Sequence, residues 1–363
     1  MRPFIYQAVS SPSEAVAAFA TLGDARNPAA GAVRRSDAIQ SPVQYLAGGT
    51  TLIDLMKLDV MRPERIVDIN ALQGSLGSIE AGPDGLRLGA MVRMAEAAEH
   101  PIVRRDYPVI AQSLQLAASQ QLRNMAALGG NVLQRTRCPY FRDTSYAECN
   151  KRNPGSGCAA VAGYNRSHAV LGASDQCIAT YPGDFAQALI ALDAGVDVAG
   201  PDGRRSVPFA ALHREPGTSP EVETQLAPGE MITSFFVPAA PWWRRSVYVK
   251  VRDRQSYEFA LASAAVALDL AEDDAASDGQ GRGGAIIRDL RIALGGVATV
   301  PWRARAAEDV LRGKPLDEST VRTAAEAAFA GARPSRHNAF KVALGQRTLV
   351  RALHEAAAME IRT

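Results

Sequence analysis

Four cysteines, Cys138, Cys149, Cys158 and Cys177, are the whole cysteine inventory of this 363-residue chain, and all lie within one stretch of it. Intervals of 10, 8 and 18 residues separate them. Thiols gathered in this way can form disulfides, ligate zinc, hold an iron–sulfur cluster or stay free. Four are too few for a disulfide scaffold in so long a chain. No C-x-x-C pair of the kind common in structural zinc sites is present. A [4Fe–4S] cluster takes four thiolates and accepts them from an irregular loop, because the cluster itself supplies order. Its negative charge would be offset by Arg135, Arg137, Arg142, Lys151, Arg152 and Arg166, all near in sequence. Gly155 and Gly157 leave backbone N–H groups free to turn toward sulfur. His168 reads as a satisfied loop histidine, and Tyr140 and Phe141 as packing. On the residues alone, cluster, zinc, disulfide and free thiols all stay open.

A second group of residues suits an anionic ligand. In "AGGTTLIDLMK", Gly48 and Gly49 fall between a strand and a helix, where small residues let backbone N–H groups approach a phosphate. The spacing is not G-x-G-x-x-G, which disfavours a Rossmann nucleotide site. "ALGGNVLQ" supplies a second glycine turn, with Asn131 as a side-chain donor to phosphate or ribose. In "CIATYPGDFAQALIAL", Asp184 precedes an amphipathic helix and reads by default as its N-cap. "YVKVRDRQSYEFALAS" places Lys250 on a strand, with Arg252 and Arg254 on the same side under period-two alternation.

The elements that would position these residues follow from periodicity. A helix is expected from Pro12 to Leu22, then a polar surface loop from Gly23 to Pro42. Val43–Leu46, Leu52–Met56 and Ile66–Ile69 read as strand, helix and strand around the first glycine turn. The run from Pro108 to Leu128 reads as one amphipathic helix ending at Gly129 and Gly130. From Asn131 to Gln176 regular periodicity disappears, which in a compact domain calls for a functional or cofactor-held segment. Strands resume after "VPAAPWWRR", and helices are expected over 303–311, 317–330 and 339–358. The low-complexity stretch from Ala271 to Ala285 reads as a hairpin loop. Hydrophobic content of 47% with 21% charged residues is that of a globular protein large enough for two or three domains. A net charge of +2 gives no reason to expect a nucleic-acid partner, and neither a signal peptide nor a membrane span is read.

Taken in order, "AGGT-x-LIDLMK", "LRN-x-A-x-x-GGN", "CIAT-x-P-x-D", "KVRDR-x-SY-x-FAL" and "ALGGVA-x-x-PWRA" closely resemble the FAD-binding medium subunit of molybdenum hydroxylases. Within that group the chain looks like the subunit of periplasmic aldehyde oxidoreductases. The likeness runs from "FIYQAVSSPSEA" to "HNAFKVALGQRTL", and the polar insertion over 24–41 is its main departure. It implies an α+β fold: a two-part FAD-binding domain over 1–70 and 71–240, carrying a cysteine-rich [4Fe–4S] insertion at 135–177, then a smaller C-terminal α/β domain over 245–363. It also implies FAD contacts at Tyr45, Leu46, Ala47, Gly48, Gly49, Thr50, Thr51 and Leu52. Further contacts are implied at Ala127, Gly130, Asn131, Asp143, Thr180, Asp184 and Lys250. The family commonly has threonine where this chain has Ala127, so backbone donors would have to suffice there. The four cysteines match the cluster positions of the aldehyde oxidoreductase branch.

The expected function is electron transfer. FAD would take electrons released at a molybdenum centre in a large partner subunit, by way of [2Fe–2S] clusters in a small one, and pass them to an external acceptor. The expected location is the periplasm, by export with a signal-bearing partner, with the cytoplasm as the alternative. Rival readings are a self-contained flavin oxidoreductase, a xanthine or purine dehydrogenase subunit, and a zinc-stabilised adaptor.

Overall fold

The computed structural model describes residues 1–26, 41–271 and 285–361. The expected loops over 23–42 and 271–285 fall largely outside the described residues; the first helix runs on to Arg26, past the expected end at Leu22. Three sheets organise the described residues. The first is parallel, with β1 (Ile5–Ala8) and β2 (Val43–Leu46) on either side of β3 (Arg65–Asp68). Parallel neighbours need a crossover. Between β2 and β3 it is the short helix Leu52–Lys57, which buries Leu52, Leu55 and Met56. The glycine loop is therefore the turn into that crossover.

The second sheet is antiparallel. Its members are β4 (Ile79–Gly82), β5 (Gly85–Gly89), β6 (Gly195–Gly200), β7 (Gly203–Pro208) and β8 (Met231–Pro238), in the order β4-β5-β8-β6-β7. Leu86 and Leu88 of β5 pair with Val237 and Phe235 of β8, and all four are buried. The chain between β5 and β6 must leave this sheet and return, and this excursion carries the cysteines. Its first part is helical but not continuous. Instead of one helix from Pro108 to Leu128, the chain forms Pro108–Gln115, Gln120–Met125 and Leu128–Val132. The break lies at Ala118, whose φ of 47° is left-handed, and at Ser119, whose hydroxyl caps the next helix by accepting from Leu122 N–H. Gly129 and Gly130 thus sit inside a helical turn rather than after a helix.

The third sheet, in the order β12-β11-β10-β9, is formed by β9 (Ser246–Val251), β10 (Ala262–Leu270), β11 (Ile287–Gly295) and the short β12 (Trp302–Arg303). Helices Arg305–Leu311, Glu318–Ala328 and Phe340–Ala357 accompany it. Gly345 lets the last helix press on Phe329, for a Cβ there would lie 2.2 Å from the ring.

This third unit reaches back to the cysteine segment. Val170 and Leu171 donate their N–H groups to the Val297 carbonyl at 2.8 and 3.0 Å, and Tyr181 donates to Ala298 at 3.0 Å. Arg333 N–H donates to Val170, His337 N–H to Asn165 Oδ1, and Asn338 Nδ2 to the carbonyls of His168 and Ala169. Lys341 Nζ, fully buried, donates to Ser167 and His168 at 3.0 Å each. The irregular segment, expected to be held by a cofactor, is therefore ordered by its protein neighbours as well.

Burial, reinforced by Arg166, pulls the Lys341 ammonium from 10.5 down to about 7. Between those values the unfolded chain holds a proton that the folded chain does not, so this residue makes stability rise with pH across that window. Lys341→Met should flatten that part of the rise in urea midpoint between pH 7 and pH 10. An unchanged slope in the variant would refute the assignment.

Candidate functional site

The loop after β2 is anchored from three sides. Tyr45 donates its hydroxyl to the Gly229 carbonyl at 2.8 Å, and Asn70 Nδ2 donates to Ala47 at 2.9 Å. At Gly48 a Cβ would stand 1.9 Å from the Met125 carbonyl oxygen, so the loop can pass there only as glycine. Arg93 supports the same carbonyl with a 2.7 Å hydrogen bond and also donates to Asn70. Gly49 takes a φ of 73°, a left-handed conformation that glycine adopts without strain. Thr51 then stands at the N-cap of Leu52–Lys57 with no side-chain cap bond.

This loop forms one wall of a cleft of about 300 Å³. Tyr45, Ala47, Gly48, Gly49, Thr50, Thr51, Leu52, Ala127 and Gly130 all line it. Leu46 packs instead with the apolar cluster of Leu52, Leu55 and Phe141. The opposite wall comes from Glu223, Thr224 and the run Leu226–Ile232, which sequence reasoning missed. The Pro228-Gly229 turn ahead of β8 was its one visible signal. Arg135, expected near the cysteines, lies on the cleft wall as well.

Polar groups in and beside the cleft lack partners. Asn131, next to the lining residue Gly130, donates its Nδ2 to Met94 Sδ at 3.3 Å, and its buried Oδ1 has no partner among the described residues. Arg135 Nη2 is likewise buried and unpartnered. Gly130 leaves open space where a side chain would be. A ligand with anionic and hydrogen-bonding parts, as FAD has, fits a glycine-walled cleft with orphaned polar atoms at its edge.

Six of the residues implied by resemblance do not line this cleft: Leu46, Asn131, Asp143, Thr180, Asp184 and Lys250. Asp143 is exposed and accepts from Ser145 N–H at 2.9 Å. Thr180 donates its hydroxyl to Ser167 at 2.8 Å. Asp184 occupies the N-cap position of Phe185–Ala191 yet makes no side-chain cap bond. Its buried carboxylate accepts instead from Tyr248 Oη at 2.5 Å and Lys250 Nζ at 2.8 Å. Lys250 also donates to the Leu116 carbonyl at 3.0 Å, and Arg252 donates there at 3.1 Å. An ammonium and a carboxylate withdrawn from water satisfy each other, which turns both inward. Arg254, farther along, is exposed and bonds to Tyr257.

The four cysteines, distant in sequence, all line one small cavity, together with Tyr140, Phe141 and Lys151. All are free thiols. Cys149 and Cys158 face each other across an isolated antiparallel bridge. Ala179 N–H donates to Cys177 Sγ at 3.4 Å, and His168 Nε2 lies 3.2 Å from Cys138 Sγ. His168 is thus part of the thiol surroundings, and its buried Nδ1 lacks a partner, unlike the satisfied loop residue expected. Burial pushes the Cys138 thiol up to about 12 and also raises Cys149 and Cys177. Among the described residues no three or more Cys, His, Asp or Glu converge closely enough for a single metal ion.

The surrounding cations are mostly engaged. Arg137 and Arg142 pair with Asp54, and Arg166 with Asp253. Arg135 and Lys151 both pair with Glu223, Lys151 at 2.7 Å. Arg152 is buried and donates to the carbonyls of Tyr140, Phe141 and Tyr146. The expected charge compensation therefore falls mainly to Arg152, beside Cys149, and to the Glu223 group.

Comparison with known proteins supplies the wider setting. Residues 5–240 match the FAD binding domain in molybdopterin dehydrogenase, and residues 247–356 the CO dehydrogenase flavoprotein C-terminal domain. The chain is 43% identical over 360 residues to the aldehyde oxidoreductase FAD-binding subunit PaoB of Escherichia coli K12, covering 99% of both. It is 28% identical to the carbon monoxide dehydrogenase medium chain of Hydrogenophaga pseudoflava, over 97% of this chain and 96% of that one. A solved carbon monoxide dehydrogenase from Hydrogenophaga pseudoflava superposes with a TM-score of 0.69 at 27% identity, covering 99% of both chains.

Two glycines separate folding from binding. A Cβ at Gly130 meets nothing among the described residues within 4 Å, and helices favour leucine over glycine by up to about 1 kcal/mol. Gly130→Leu should therefore fold normally but lose flavin, seen as a fall of at least about tenfold in bound FAD at fixed added FAD. Full flavin occupancy would contradict the cleft assignment. Gly48→Val should lower thermal stability even without flavin, because Met125 cannot make room.

Proposed function

This chain belongs to the FAD-binding medium subunits of the molybdenum hydroxylase family, and from that premise we propose that it is the FAD- and [4Fe–4S]-carrying electron-transfer subunit of a heterotrimeric aldehyde oxidoreductase. The observation that carries the cluster is the gathering of all four cysteines around one cavity. A single zinc ion would draw four sulfurs to about 2.3 Å from one point. A four-iron cube holds its thiolates at the corners of a larger tetrahedron, and four thiols around one cavity supply that number of ligands. The N–H group of Ala179 and the imidazole of His168 stand where hydrogen bonds to cluster sulfur would form.

For FAD, the backbone from Ala47 to Thr51 would hold the pyrophosphate, with Gly130 leaving the facing space open. Arg135 Nη2 and Asn131 Oδ1 would gain the partners they lack. Bound flavin supplies the redox chemistry itself; the protein supplies position, burial and charge. Asp184, Tyr248 and Lys250 hold β9 against the helix Phe185–Ala191.

Aldehyde oxidation follows the likeness to PaoB, an aldehyde oxidoreductase FAD-binding subunit. In this reading a large subunit with the molybdenum cofactor oxidises the substrate, and a small [2Fe–2S] subunit delivers the electrons. This chain then hands them to an external acceptor. We place the complex in the periplasm, exported folded with a signal-bearing partner, and divide this chain at 1–70, 71–240 and 245–363. No helix among the described residues is long and apolar enough to cross a membrane.

The test is elemental. Cys158→Ser in the assembled complex should remove up to about four iron and four sulfide per FAD, with flavin retained. Iron content equal to that of the unaltered complex would sink the cluster reading.

A further inference from the structure

The cleft and the cysteine cavity share a boundary. Arg135 and Glu223 line the cleft, while Lys151 lines the cysteine cavity. Between them lies a third, water-sized cavity lined by Glu223, Lys151 and Cys177 together. Glu223 Oε1 stands 2.7 Å from Lys151 Nζ, and its Oε2 meets Arg135 Nε. Side-chain exposure is 10% for Arg135, 10% for Lys151 and 22% for Glu223, so solvent screens this group poorly. Arg135 also lies 5.9 Å from the ring centroid of Phe141, a wall of the cysteine cavity. Burial alone would raise the Glu223 carboxyl, but Arg135 and Lys151 hold it below the usual carboxylate range, so it is ionised. The group then carries two positive charges and one negative.

We propose that Arg135, Glu223 and Lys151 form a shared electrostatic element that sets the reduction potentials of both the flavin in the cleft and the cluster in the cysteine cavity, with Glu223 as the common counter-ion. The part concerning the cluster rests on the function proposed above. An added electron is repelled by a nearby carboxylate and attracted by a nearby ammonium, and poor screening lengthens the reach of both. Arg135 acts chiefly on the flavin side and Lys151 on the cluster side. These are positioning residues: they fix charge beside the centres and touch no substrate. No proton or electron is stored on them.

Redox titration of the whole complex tests this, following the flavin by absorbance and the cluster by electron paramagnetic resonance. Glu223→Gln takes the group from +1 to +2 and should raise both potentials. Lys151→Gln takes it to zero and should lower the cluster more than the flavin. The expected size is about tenfold in the one-electron equilibrium constant, or about 59 mV. The double variant restores +1 and should return both centres toward their original potentials. A purely structural role would shift both single variants in the same direction or simply release cofactor. Unmoved potentials, shifts of one sign, or a double variant displaced as far as the singles, with iron and flavin retained, would overturn the proposal. If the unaltered complex lacks the cluster's iron, the cluster reading fails by itself. The flavin potential in Glu223→Gln then decides the remaining claim: a rise supports it, and no rise overturns it.

Discussion

The cofactor cleft depends on one close approach, that of the Gly48 backbone to the Met125 carbonyl. It ties the parallel sheet, which supplies the loop, to the helical layer beside the antiparallel sheet. Arg93 makes the contact durable by donating to that carbonyl and to Asn70, which in turn holds Ala47. A loop fixed at this point can leave its later N–H groups pointing outward, because its path no longer depends on local hydrogen bonds. The far wall is then set by β8, through the Gly229 carbonyl that receives the Tyr45 hydroxyl.

Electrostatics follows the same logic of withdrawal from water. Asp184 with Lys250, and Glu223 with Arg135 and Lys151, are charges that could not stay buried alone. The first set closes on itself and joins β9 to its neighbouring helix. The second stays next to two cavities, where its net charge is felt by whatever fills them. Two buried ionic groups in one chain thus differ in role because of what lies beside them.

Much of this was legible in sequence. The alternation around the first glycine turn placed β2, the crossover helix and β3 within a residue or so, since period and turn chemistry agree there. The four thiols could be singled out by count and spacing. That all four meet was implied by the family resemblance, but what brings them together was not legible: the bridge between Cys149 and Cys158 and the clamps from residues 333–341. The helix expected over 108–128 failed at Ala118, whose left-handed backbone no alanine would signal. Asp184 read as a cap because capping is local, whereas its partners Tyr248 and Lys250 lie more than sixty residues away. Glu223 and the wall after it carried no motif beyond a Pro-Gly turn.

The clamp on residues 165–170 has a consequence for biogenesis. Its donors, from Arg333 to Lys341, lie near the end of the chain, while the cysteines they help to position lie in its middle. β5 pairs locally with β4 but must wait for β8, about 150 residues later, for its other neighbour. Non-local pairings of this kind close late. During synthesis the thiols therefore leave the ribosome well before the lysine, asparagine and arginine that hold their segment in place. The cysteine pocket is thus completed from both sides only once residues 333–341 are there to hold its segment.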